Sequence, residues 1–169
     1  MYRKGFTLIE LLVVIAVIGI LASVVMASLN SARVKARNAR RASDMTQLRS
    51  AFNLGVTDSG ALPVNGWTCI SATCYGGWIT YPVVPAVDAV FTPHMPTKPI
   101  DPPGGRLGTG GYLYHGSWPG GTSSYDGRVL PPGPILNYLA EPPAKEGACA
   151  PGYIGGAHAD YLDCVIYIQ

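Results

Sequence analysis

Between Phe6 and Leu29 the chain carries sixteen large apolar side chains, interrupted by one acidic residue, Glu10. From Leu11 to Ala32 there are 22 residues without a charge. At ~1.5 Å rise per residue such a helix is about 33 Å long, enough to cross a hydrocarbon core of about 30 Å. Gly19 is its local weak point, costing about 1 kcal/mol relative to Ala in a soluble helix. Past Ala32 the pattern turns amphipathic. Ala39, Ala42, Met45, Leu48 and Phe52 recur at spacings of three and four, with arginines on the remaining faces. The pattern predicts one continuous helix from about Thr7 to Leu54, roughly 70 Å long by the helical rise. Gly55, Asp58-Ser59-Gly60 and Pro63 are its stop signals.

After Leu54 the texture changes. All fifteen prolines and nineteen of the 21 glycines fall there, so the remainder is loop-rich. Trp78–Val84, Tyr112–His115 and Leu162–Ile168 are rich in aromatic and β-branched residues and predict strands. Pro131-Pro132-Gly133-Pro134 and Pro142-Pro143 predict turns, and Gly108-Thr109-Gly110-Gly111 a loop. The expected class is α+β: a long N-terminal helix whose apolar half spans a membrane or fills a filament core, carrying a head with a small antiparallel sheet. The predicted division is 1–5 as a leader, 6–32 as the apolar helix, 33–54 as the amphipathic half packed on the head, and 55–169 as the head.

Charge changes the picture. Arg3 and Lys4 account for the formal +2; without them ten basic residues meet ten acidic ones. Arg33, Lys35, Arg37, Arg40, Arg41 and Arg49 face only Asp44 along their stretch of helix, while the head is net acidic. A basic rod and an acidic head attract copies of the same chain. The six basic residues are expected to form a helix face that packs against acidic heads of neighbours. Contact with nucleic acid is the minor alternative.

Four cysteines, Cys69, Cys74, Cys149 and Cys164, all follow the apolar run. If that run sends the head across a membrane, two disulfides are expected. Three pairings can be drawn, of which the sequence-local Cys69–Cys74 and Cys149–Cys164 are favoured. The second loop is worth roughly 3 kcal/mol on the chain-entropy model. A zinc site lacks Cys-x-x-Cys or a nearby His at ligand spacing, so no metal is expected. His94, His115 and His158 read as surface or packing residues, with Asp160 and Asp163 near His158 the weak cation alternative. No nucleophile–base pair or phosphate loop stands out, so no enzymatic activity and no cofactor is expected.

Glu10 carries the chemistry. An ionised side chain inside a membrane span costs roughly 2–3 kcal/mol or more, which a plain anchor has no reason to bear. A secretory signal peptide, with Val25-Met26-Ala27 as cleavage pattern, leaves the glutamate unexplained. An uncleaved anchor does the same. Lys4-Gly5-Phe6-Thr7-Leu8-Ile9-Glu10-Leu11-Leu12-Val13-Val14-Ile15 resembles the N-terminus of type IV pilins and type II secretion pseudopilins. The similarity continues through Ala36–Asp44 to about Pro63. A weaker echo is Pro99-Ile100-Asp101-Pro102-Pro103-Gly104 followed by Tyr112-Leu113-Tyr114.

The resemblance implies a life history. A membrane-embedded prepilin peptidase cuts between Gly5 and Phe6 on the cytoplasmic side and methylates the new Phe6 amine. The subunit waits in the inner membrane, then passes through an assembly platform into a helical homo-oligomeric filament, either an extracellular pilus or a periplasmic pseudopilus. Glu10 pairs with the Phe6 amine of a neighbour, and Gly19 lies in the packed helical core. Apolar packing gains little on leaving lipid, so a charge pair that punishes every wrong register is the natural specificity element. The large, disulfide-bearing head makes a type IV pilus subunit the expected reading, and the Asp101-Pro102 stretch makes a type II secretion pseudopilin the alternative. A signal-anchored or secreted binding protein is the rival of another class. The basic flank after the span opposes this orientation by the positive-inside rule, and the leader's need for a cytoplasmic peptidase takes precedence.

Overall fold

The computed structural model describes residues 5–74, 80–103, 110–143, 145 and 147–168. The leader residues 1–4, Trp78 and Ile79 of the first expected strand, Gly104 of the Pro-Asp-Pro stretch, and Gly108 and Thr109 of the expected loop lie outside them. In chain order the elements are α1 (Leu8–Ser59), β1 (Thr68–Cys69), α2 (Pro85–Phe91), β2 (Tyr112–Trp118), β3 (Gly121–Thr122), β4 (Val129–Leu130), β5 (Gly133–Ala140), β6 (Tyr153–Ala157) and β7 (Leu162–Tyr167). The class is α+β, with a long N-terminal helix and an antiparallel sheet.

The chain divides into two compact units, residues 1–36 and 37–169. The first is the apolar part of α1. Its most apolar stretch has a mean hydropathy of 3.0, long and apolar enough to cross a membrane, and none of it is covered by protein. Helicity continues through Gly19, where an added Cβ would meet nothing within 4 Å.

The second unit is built on a five-stranded sheet in the order β1-β2-β5-β7-β6, all pairings antiparallel, with β3 and β4 as a separate ribbon. Met45, Leu48 and Phe52 are fully buried, and Ala51 and Gly55 are buried beside them. They pack with Val87, Val90 and Phe91 of α2 and with the inward residues Tyr112, Tyr114, Leu136, Tyr138, Leu162 and Ile166. Phe52 stacks on Tyr114 at a centroid distance of 5.1 Å. Its ring also meets Phe91, tilted, at 5.0 Å. Pleating sends Leu113 to the opposite face, into a smaller cluster with Cys69, Cys74, Trp67 and Tyr81.

Several expectations need correction. The helix does not stop at Leu54 but runs to Ser59, because Gly55 is a packing position instead of a breaker. A Cβ there would lie 1.9 Å from the Val90 carbonyl oxygen, so the glycine lets α2 approach. Residues 80–84 form no strand. One bond from the Cys69 N–H to the Pro82 carbonyl, 2.9 Å, is made, and prolines 82 and 85 cannot donate to extend it. The turn expected at 131–134 gives way at Gly133 to β5, the middle strand of the sheet. Pro134 is tolerated because it stands at the strand's start. α2, with Pro85 in its first turn, and the glycine-bearing edge strand β6 were not anticipated. Ala39 is exposed, so the buried stripe begins at Arg41.

Candidate functional site

α1 opens at Leu8, which makes Thr7 its cap and Glu10 its third residue. The Thr7 backbone N–H and hydroxyl both donate to Glu10 Oε2, each at 2.8 Å. The Glu10 N–H donates back to Thr7 Oγ1 at 3.3 Å. This reciprocal arrangement is a capping box, which satisfies otherwise orphaned N–H groups at a helix start. The helix dipole adds to it, since the first turn favours negative charge. The Thr-x-x-Glu spacing ahead of an apolar run is the sequence signal that would have disclosed Thr7 as the cap holding Glu10. Both donors fall on Oε2 and neither on Oε1. A shallow concavity along this face is lined by Phe6, Ile9, Glu10, Val13 and Val14. Phe6 is 84% exposed, and a Cβ on Gly5 would meet nothing within 4 Å. Packing within the chain therefore places no demand for glycine at position 5.

The expected basic face is not uniform. Arg37 and Arg41 leave it for acceptors in the head, a correction to the idea that all six await neighbouring copies. Arg37 Nε donates to Glu141 Oε1 at 2.6 Å. Arg41 donates to Asp101 Oδ1 at 2.6 Å, Glu141 Oε1 at 3.0 Å, Asn38 Oδ1 at 3.0 Å and the Pro102 carbonyl at 3.0 Å. Asn38 answers with its side chain, accepting from the Glu141 N–H and donating to the Glu141 carbonyl. Asp101 accepts the Gly111 N–H through Oδ2. The hydrogen bond from Arg37 holds the Glu141 carboxyl below its ordinary range, against the opposing effect of burial and with help from Arg41. Tyr112 donates to Asp44 at 2.7 Å, and burial, followed by that carboxylate, pushes its phenol far up. Arg33, Lys35 and Arg40 are exposed, and Arg49 is half-buried.

Cys69 is bonded to Cys74 and Cys149 to Cys164, with Cα–Cα distances of 5.6 and 5.2 Å. All four lie in the second unit. His94 meets Asp58 at 2.9 Å, and His115 packs edge-on against Trp67. His158 stacks on Tyr161 and lies 3.3 Å from Asp163 Oδ2. Burial raises the Asp163 carboxyl, opposed by His158. Among the described residues no group of three or more His, Cys, Asp or Glu is placed to hold a metal ion.

Residues 1–26 match the family model described as the prokaryotic N-terminal methylation motif. Over 61 residues, 36% of this chain, the sequence is 38% identical to a type II secretion system core protein G of Pectobacterium carotovorum subsp. carotovorum, covering 39% of that protein. It is 39% identical to the protein of that name from Klebsiella michiganensis, covering 43% of it. The figures for the Escherichia coli K12 protein of that name are 38% and 42%. The chain thus spans about two fifths of the length of these curated relatives. No solved structure matches it. The resemblance to pilins and pseudopilins holds, carried by a methylation motif at the start of a membrane-length helix.

Proposed function

We propose that the chain is a non-enzymatic structural subunit of a secretion pseudopilus, made as a membrane-anchored precursor and assembled into a helical filament. One observation carries this reading: the methylation motif opens a helix whose only acidic residue in the apolar half is Glu10. A prepilin peptidase in the cytoplasmic membrane cuts between Gly5 and Phe6 and methylates the Phe6 amine. Before cleavage Glu10 is satisfied by Thr7 on one oxygen. Cleavage then creates a cation at Phe6, and Glu10 Oε1, which takes neither of the Thr7 bonds, receives that of a neighbouring copy. Subunits repeat by one non-closing contact, which yields a fibre instead of a ring. The names of the relatives favour the secretion branch, in which the filament stays in the periplasm. The two-disulfide head supports an extracellular pilus as second reading.

The mature N-terminus decides the matter. Mass spectrometry of the membrane-extracted protein is expected to give N-methyl-Phe6, whereas a mature chain starting at Ser28 would overturn the reading. A deletion strain separates the branches: a secretion defect without surface filaments supports the pseudopilus, and loss of surface filaments the pilus. Glu10→Ala is expected to be cleaved normally yet yield little sheared filament. Wild-type filament yield from that variant would remove the pairing role.

A further inference from the structure

The six basic residues that the sequence groups together part company in the fold. Arg37 and Arg41 are held by Glu141 and Asp101. Arg33 and Lys35 are exposed and form no ion pair among the described residues. Both belong to the first unit, with the apolar helix, and follow directly on the charge-free run that ends at Ala32. If Leu11 enters the hydrocarbon at one side, the run's length of about 33 Å brings Arg33 and Lys35 to the phosphate level of the other. Asn30 and Ser31, both exposed, begin the polar layer just before them. At about 100° per residue the two basic side chains point roughly 200° apart around the axis. A pair on one stripe suits one flat partner. A pair on opposite sides suits a partner that surrounds the helix, and their long stems reach outward along the apolar surface.

We infer that Arg33 and Lys35 form a cationic collar binding the phosphates of anionic phospholipids, in the leaflet on the head's side, while the subunit waits in the membrane. The inference rests on the membrane-anchored precursor of the proposed function and adds a partner to it. The guanidinium grips phosphate bidentately, and the ammonium acts as a point charge. Near an anionic surface each is worth roughly fivefold in local lipid preference, and together roughly 25-fold at low salt. The collar holds the span at a fixed depth, and extraction into a filament must break it.

The test uses the full-length protein and the R33Q/K35Q variant, reconstituted into phosphatidylcholine vesicles with or without phosphatidylglycerol. Flotation reports insertion, and spin-labelled phosphatidylglycerol against spin-labelled phosphatidylcholine reports selectivity. Wild type is expected to float with both vesicle types and to prefer phosphatidylglycerol by roughly tenfold or more, a preference that salt weakens. The variant is expected to float equally and lose most of that preference. Equal selectivity of wild type and variant overturns the collar while the anchor stands. If the variant instead loses cross-linking between copies, the two residues belong to a subunit contact and the collar is again overturned. Failure of the wild type to float with either vesicle type overturns the membrane-anchored precursor and the collar together.

Discussion

Arg41 donates to Asp101 at 2.6 Å with each side chain only 2% exposed, so α1 is fastened to the segment before β2 by an ion pair sealed from water. The same guanidinium reaches Glu141, Asn38 and the Pro102 carbonyl, leaving few of its donors idle. Removing one partner of such a pair strands the other charge. Arg41→Ala is expected to destabilise the second unit by about 3–5 kcal/mol in denaturant unfolding followed by tryptophan fluorescence. A loss of under about 1 kcal/mol, the scale of a surface pair, would show that water reaches the site.

Glu141 sets the pH dependence. Its carboxyl lies below the ordinary value of 4.5 in the folded chain, chiefly through Arg37. The stabilisation is therefore complete above the ordinary carboxylate range and is lost as pH falls through that range towards the lowered value. Unfolding midpoints are expected to stay level from neutrality to about pH 5 and then drop. Asp163, raised by burial, acts in the opposite sense and blunts the drop. Glu141→Gln is expected to be less stable at neutral pH and to show a shallower acid slope.

Gly55→Ala separates two effects of opposite sign. Helix propensity alone makes alanine better by about 1 kcal/mol. The contact with the Val90 carbonyl oxygen makes it worse, because backbone must move. Net destabilisation, read from the thermal midpoint, is the expected outcome. Stabilisation would mean that α2 shifts at little cost.

The two disulfides should differ in weight. Their partners are 5 and 15 residues apart. The chain-entropy model gives roughly 2 kcal/mol for the shorter loop and roughly 3 for the longer. Cys149→Ser/Cys164→Ser is therefore expected to lower stability more than Cys69→Ser/Cys74→Ser, in denaturant curves taken side by side.

Thr7→Val keeps the volume of the cap and removes its hydroxyl bonds. The helix start is expected to lose about 1 kcal/mol, visible as faster amide exchange at residues 8–11 in detergent micelles. Unchanged exchange would show that the Thr7 backbone N–H alone orders the turn.

The apolar span, the helix beyond it and β2 and β7 were legible because periodicity and β-branched composition stated them directly. The middle strand was not. In Gly133-Pro134-Ile135-Leu136-Asn137-Tyr138-Leu139-Ala140, Pro134 and Asn137 imitate a turn, and burial on both faces erases alternation. Only the fold shows that Asn137 is satisfied by the Cys164 carbonyl. Gly55 likewise reads as a stop until Val90 is seen against it. The N-terminal site was legible as to class, and its Thr7 half was hidden in a spacing that also serves any helix start. Arg37 and Arg41 could not be told from Arg33 and Lys35 by sequence, since their acceptors come from residues 101, 102 and 141.

The strand order carries a consequence for biosynthesis. β5 and β7, which hold the sheet together, come from the last quarter of the chain, whereas the stripe Met45, Leu48 and Phe52 that they cover emerges early. Val90 and Phe91 of α2 follow that stripe closely in the chain, but roughly a hundred residues must leave the ribosome before β5 and β7 complete its cover, and pairings this distant in sequence close slowly. On the proposed membrane-anchored reading the head crosses as an open chain, and because Cys164 lies in β7, the Cys149–Cys164 bond closes only after the last strand has emerged.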